Sequence, residues 1–232
     1  MTDTVSVAPD VDTRRRLLQR TVGIVGLLAP VLILAPISAA SGQEPGFTGD
    51  AAAVRAFFAS TAGPAYGLGN AVVTLGLLAL LWFAIGLALL LAEVEGSPAW
   101  RSAIGAGSVV AFVGSALHGG WQAASYRADG LTDPLALYAF DVGNLTFANG
   151  WVFLGSWSGC VGWVLVSTRT GGRWVGVVAL VAGAGLVISR FVWTAPVWFF
   201  PYALCWLWVI ALSVRLLRQS RPVSSHPEER VR

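Results

Sequence analysis

Leu68-Gly-Asn-Ala-Val-Val-Thr-Leu-Gly-Leu-Leu-Ala-Leu-Leu-Trp-Phe-Ala-Ile-Gly-Leu-Ala-Leu-Leu-Leu-Ala92 runs for 25 residues without a charged side chain. As a helix it would rise about 37 Å, enough to cross the roughly 30 Å hydrocarbon layer of a bilayer. Within that layer each backbone N–H and C=O must be satisfied inside the protein, which a single segment achieves only as a helix. The rest of the chain has the same character. Of its 232 residues 56% are hydrophobic and 12% charged, against about 25% charged in soluble domains. The mean hydropathy is +0.69. This balance excludes a soluble enzyme, a disordered chain and a nucleic-acid binder of the usual kind.

Working outward, five further apolar stretches match the first. The expected spans are 21–41, 68–92, 102–126, 142–167, 174–191 and 197–214. Pro30 and Pro36 fall inside the first span and predict kinks, and Pro196 and Pro201 mark the start of the sixth. Residues 1–16 and 218–232 read as disordered cytoplasmic ends, with the membrane domain over 17–217. The fold class is all-α, an integral membrane bundle of six transmembrane helices.

The basic residues set its orientation. All are Arg, and twelve of the fifteen fall on one side if the N-terminus is inside: Arg14, Arg15, Arg16, Arg20, Arg101, Arg169, Arg173, Arg215, Arg218, Arg221, Arg230 and Arg232. Only Arg55, Arg127 and Arg190 fall opposite. Excess Arg marks the cytoplasmic side, so both termini are expected there. Tyr126, Tyr138, Trp193 and Trp198 read as an outer aromatic belt, and Trp100 and Trp174 as an inner one. Thr13-Arg-Arg-Arg-Leu-Leu-Gln19 also looks like a twin-arginine export signal, with Ser38-Ala-Ala40 as its cleavage site, but the same Arg cluster is what an inside anchor needs.

Two outer loops are long. Gly46 to Ser60 reads as a short helix capped by Thr48 or Asp50, with Ala51, Val54, Phe57 and Phe58 on one side. It is expected to lie on the outer interface, as an anchored connector or as a lid over an outward cavity. The segment Arg127–Asp141 reads as an acidic, turn-rich loop. Cys160 and Cys205 sit at different depths, so no disulfide is expected.

Chemistry inside the spans is sparse. Their interiors contain no Asp, Glu or Lys, and the chain carries no zinc motif, nucleophile elbow or P-loop. Gly155-Ser-Trp-Ser-Gly159 places Trp157 where an elbow would need Ser, so Gly155 and Gly159 read as a helix-packing face. The third span carries Ser115, His118, Gln122 and Ser125 at helical spacing, bordered by Trp121. Thr146, Asn149 and Ser156 on the fourth span reach similar depth, with Asn70, Asp141 and Arg190 nearby. Polar side chains avoid hydrocarbon, so the stripe is expected to face the bundle interior. It reads as a structural hydrogen-bond network or as an outward-facing polar cavity of Ser115, His118, Trp121, Gln122, Asn149 and Arg190.

The outer helix start Gly49-Asp-Ala-Ala-Ala-Val54, the basic connector Thr168-Arg-Thr-Gly-Gly-Arg173, and the following Trp174-Val-Gly-Val-Val178 and Ala182-Gly-Ala-Gly-Leu186 resemble a family of uncharacterised bacterial multipass membrane proteins, a domain-of-unknown-function family. The resemblance covers about residues 20–215 and implies a six-helix inner-membrane bundle without catalytic residues. The Trp-rich second half and the acidic outer loop depart from it. The expectation is a non-enzymatic protein of the bacterial cytoplasmic membrane. It would need no cofactor or metal, would not bind nucleic acid, and would take a small or lipid-like ligand in the outward cavity. The alternatives are a transporter or channel subunit, with homo-oligomers formed through Gly155 and Gly159, and a membrane redox protein using His118.

Overall fold

The computed structural model describes residues 11–40, 44–47, 49–117, 119–170 and 172–220. These hold eight α-helices and no strand: α1 (Val11–Ala40), α2 (Ala51–Ser60), α3 (Pro64–Glu95), α4 (Trp100–Ala116), α5 (Gly120–Tyr126), α6 (Asp133–Thr168), α7 (Arg173–Ser189) and α8 (Phe199–Gln219). Six helical segments are long and apolar enough to cross a membrane, so the chain is a multipass membrane protein by length and composition. An even number of crossings places both described ends, Val11 and Ser220, on one side. That is the terminal side here, and the opposite one is the cap side.

The six long helices close into a ring in which each packs on the next: α1, α3, α4, α6, α7, α8 and back to α1. The middle is filled with rings. Phe83, Trp157 and Trp208 are at most 1% exposed, with ring centroids 5.9 Å (Phe83–Trp157) and 4.8 Å (Trp157–Trp208) apart. The indole of Trp208 donates to Ser158 Oγ at 3.2 Å, and the free Cys205 thiol lies 3.4 Å from the same oxygen. Such partners are needed where no water enters.

α6 and α7 approach through small residues. A Cβ on Gly155 would stand 2.8 Å from the Gly183 carbonyl oxygen, and one on Gly162 2.7 Å from that of Gly176. Lipid is as apolar as Leu, so close backbone contact of this kind, rather than water exclusion, holds membrane helices together.

Two expected elements are refined. The third segment, Trp100–Tyr126, has the length and apolarity of a span but is not one continuous helix. α4 stops at Ala116, and Gly119 takes φ +57°, a left-handed turn that Gly adopts without strain. The stripe of Ser115, Gln122 and Ser125 is thereby split between α4 and α5. The acidic segment is no loop beyond Thr132, because α6 begins at Asp133 with Pro134 in its first turn. α6 therefore spans 36 residues, about 54 Å and well beyond one hydrocarbon layer.

The extra length of α6 carries a cap. At the level of Asn149, α4 and α7 end, while α6 continues toward its start for about another 24 Å. α2, α5 and the first turns of α6 bury a separate core of Val54, Phe57, Phe58, Ala124, Leu131, Ala136 and Phe140. Asp50 Oδ1 accepts from the Ala53 N–H at 2.8 Å and caps α2, while Thr48, the other expected cap, lies outside the described residues. Arg55 pairs with Asp133 at 2.9 Å, and the buried hydroxyls of Thr61 and Ser125 meet at 2.7 Å, tying α2 to α6 and α5. Of the expected belt residues, Trp198 instead stacks on buried Trp151, centroids 5.3 Å apart.

Candidate functional site

The structure divides the expected cavity in two. The first part is a groove of about 440 Å³ beside α6, lined by Ser115, Thr146, Asn149, Val152 and Phe153. Arg190, in the 3-10 turn after α7, donates from Nε to Asn149 Oδ1 at 2.7 Å. Four of the polar residues singled out by sequence, Ser115, Thr146, Asn149 and Arg190, thus meet at one depth. They meet on the outside of the ring rather than in its interior, because Asn149 and Val152 are exposed. The Ser115 proton goes to the Phe112 carbonyl at 2.8 Å, leaving its oxygen as an acceptor. One helical turn beyond Val152 on α6, Ser156 shares a 2.9 Å hydrogen bond with Ser108 of α4. A Cβ on Gly159 would meet nothing within 4 Å, so its side opens outward while Gly155 is covered by α7 of the same chain.

The second part lies under the cap. A cavity of about 490 Å³ is bounded by the carboxyl-terminal ends of α1 and α2, the amino-terminal turns of α3 and one face of Trp121. Its polar lining is Glu44, Ser60, Thr61, Tyr66 and Asn70, and its apolar lining includes Ile37, Phe57 and Val73. Trp121 is not beside Ser115. It stacks on Phe140 at 5.5 Å and meets Phe57 edge-on at 5.4 Å, with its indole N–H donating to the Phe140 carbonyl at 3.3 Å. Packing around Glu44 removes water from one side of its carboxyl and raises it above its ordinary pKa, although the residue keeps an open side.

Two expected contributors do not join either part. Gln122 is exposed on α5, and Asp141 is exposed on α6. His118 lies outside the described residues, so the redox reading built on it has no geometry. Among the described residues no three His, Cys, Asp or Glu side chains gather to hold a metal. The lining residues that sequence reasoning missed are Glu44, Ser60, Thr61 and Tyr66. The one available signal was Glu44, one of two carboxylates in the linker between the first two spans and the one not used as a helix cap.

No family model, no curated protein and no solved structure matches the chain.

Proposed function

We propose that this chain is a non-enzymatic protein of the bacterial cytoplasmic membrane, with both termini in the cytoplasm, that holds a lipid-like amphiphile in the groove beside α6. The Arg asymmetry of the sequence orients it, placing the cap and the groove on the outward side. The observation that carries the ligand reading is the Arg190–Asn149 hydrogen bond at the mouth of an open groove. A guanidinium offers five N–H donors, and this bond uses one. The others suit a phosphate, for which Arg is the preferred partner. Ser115 and Thr146 supply further polar contacts, and Val152 and Phe153 continue as an apolar floor for an acyl chain.

The alternative, a transporter or channel subunit, needs a route through the ring, where Phe83, Trp157 and Trp208 now pack. A route between copies is its remaining form, and Gly155 cannot serve that contact while α7 covers it.

Native mass spectrometry of the protein released from phosphatidylglycerol nanodiscs tests the ligand reading. Wild type is expected to keep one phosphatidylglycerol at collision energies that strip the rest, and Arg190→Gln and Asn149→Leu to lose it. Equal retention by all three proteins would remove the groove from consideration.

A further inference from the structure

The cap cavity is distinct from the groove, and its chemistry has the opposite sign. Among the described residues its one charged lining residue is Glu44, and no Arg, Lys or His lines it. The hydroxyl protons of Ser60 and Thr61 are already committed. Ser60 donates to the Phe57 carbonyl at 2.7 Å and Thr61 to the Phe58 carbonyl at 3.1 Å. The Thr61–Ser125 contact must then use the Ser125 proton, so both Ser60 and Thr61 present lone pairs. The Trp121 N–H is likewise spent on Phe140. What Ser60, Thr61 and Trp121 present to the cavity is therefore acceptor oxygen and ring surface, beside the Tyr66 hydroxyl and the Asn70 amide.

The helix ends agree with this. The cavity lies at the carboxyl ends of α1 and α2 and at the amino end of α3. Two of these three are carboxyl ends, whose partial negative charge favours a cation, although at α2 Ser60 and Thr61 already bond the last carbonyls. The third is blunted, because Pro64 has no N–H and the Tyr66 N–H is held by the Gly63 carbonyl at 3.2 Å. Phe57, Tyr66 and Trp121 supply aromatic walls, whose faces attract ammonium groups. Packing around Glu44 raises its carboxyl above its ordinary pKa, a burial that a cationic partner would offset. The volume is that of a small-molecule site.

We propose that the cap cavity binds a small protonated amine with an apolar body, its ammonium group held by Glu44 and the hydroxyl oxygens of Ser60 and Thr61 and its body against Phe57, Tyr66 and Trp121. The assignment does not depend on the lipid reading of the groove, because the two sites share no residue.

Phenethylammonium is the probe, titrated calorimetrically into the full chain in phosphatidylcholine nanodiscs, with empty nanodiscs as reference. The neutral 2-phenylethanol has the same body without the charge. Saturable binding of the amine is expected, at least tenfold tighter than of the alcohol, and weakened at least tenfold by Glu44→Gln. Gly69→Leu fills the cavity, since a Cβ there meets only Pro36 at 3.8 Å, and is expected to abolish binding with the melting temperature kept. Arg190→Gln, which tests the groove, is expected to leave amine binding unchanged. Equal affinity for amine and alcohol, undiminished binding in either cavity variant, or heats no larger than those of empty nanodiscs would overturn the proposal.

Discussion

Glu95 shows how one carboxylate holds two membrane helices together. It ends α3, its side chain is 2% exposed, and both oxygens point at the first turn of α4. Oε1 accepts from the Arg101 backbone N–H at 2.9 Å and from Arg101 Nε at 3.0 Å, and Oε2 from the backbone and hydroxyl of Ser102. The Ala99 side chain cannot cap α4, so Glu95 satisfies the free N–H groups from the preceding helix and complements their dipole. Arg101 extends the link to Ser167 of α6 at 3.1 Å, with its guanidinium 5.3 Å from the Trp163 ring centre. Glu95→Ala leaves these donors unpartnered and is expected to cost about 1.5–3 kcal/mol. Thermal unfolding in detergent checks it, and Glu95→Gln, which keeps one acceptor, should fall between the two.

At the scale of elements, the same substitution has different consequences one turn apart. Gly155→Ala drives a methyl against the Gly183 carbonyl and forces α6 from α7, whereas Gly159→Ala points into open space. The first is expected to destabilise by about 1–3 kcal/mol, while the second stays within about 0.5 kcal/mol of wild type. Melting temperatures of the two variants side by side decide this. The cap offers a second contrast. If the cap stands outside the hydrocarbon, as the proposed orientation has it, burial there draws on the hydrophobic effect, which the lipid-facing ring cannot use between its helices. Phe58 is fully buried in that core, and Phe58→Ala should cost the cap about 3–5 kcal/mol. The half-exposed Arg55–Asp133 pair contributes at most about 1 kcal/mol and cannot compensate. Hydrogen exchange is expected to rise over residues 51–60 and 120–126 while the ring stays protected. Uniform loss of protection would instead mean that cap and ring unfold as one unit.

For the whole molecule, the proposed orientation makes a labelling prediction. Gly130 is exposed on the cap, and Gln219 is exposed at the end of α8 on the terminal side. In a background with Cys160 and Cys205 replaced by Ala, Gly130→Cys should react with a membrane-impermeant maleimide on intact spheroplasts. Gln219→Cys should react only after permeabilisation. The reverse pattern would invert the membrane orientation and place groove and cap cavity in the cytoplasm.

Much of the membrane architecture was legible because hydrocarbon imposes a local rule. A charge-free stretch such as 68–92 must be a helix wherever its neighbours lie, so six spans could be read without knowing one contact. The Asp50 cap was legible for the same reason, since its bond reaches only three residues along the chain. Outside the membrane the rule lapses. Thr132-Asp133-Pro134 is a helix start by its own chemistry, but charge at Asp129, Asp133 and Asp141 drew that segment toward a loop. The polar stripe failed at Gly119, where a single left-handed residue separates Ser115 from Gln122 and Ser125.

The sequence by itself determined the class of protein, the number of crossings and the residue types that could carry chemistry, because each follows from composition or from spacing along one helix. The tertiary structure alone decided the closed order of the ring and the aromatic filling of its middle. It also decided that Ser115, Thr146 and Asn149 line a groove on the outside of the ring, with Arg190 bonded to Asn149, while Trp121 and Glu44 line a cavity under a cap. Those outcomes rest on which segments meet across long stretches of chain, as α1 and α8 do where Gly23 lies against Leu217, and as Glu44 and Trp121 do in lining one cavity. Periodicity along one helix fixes the face a residue occupies, and only packing fixes which face of which neighbour it meets.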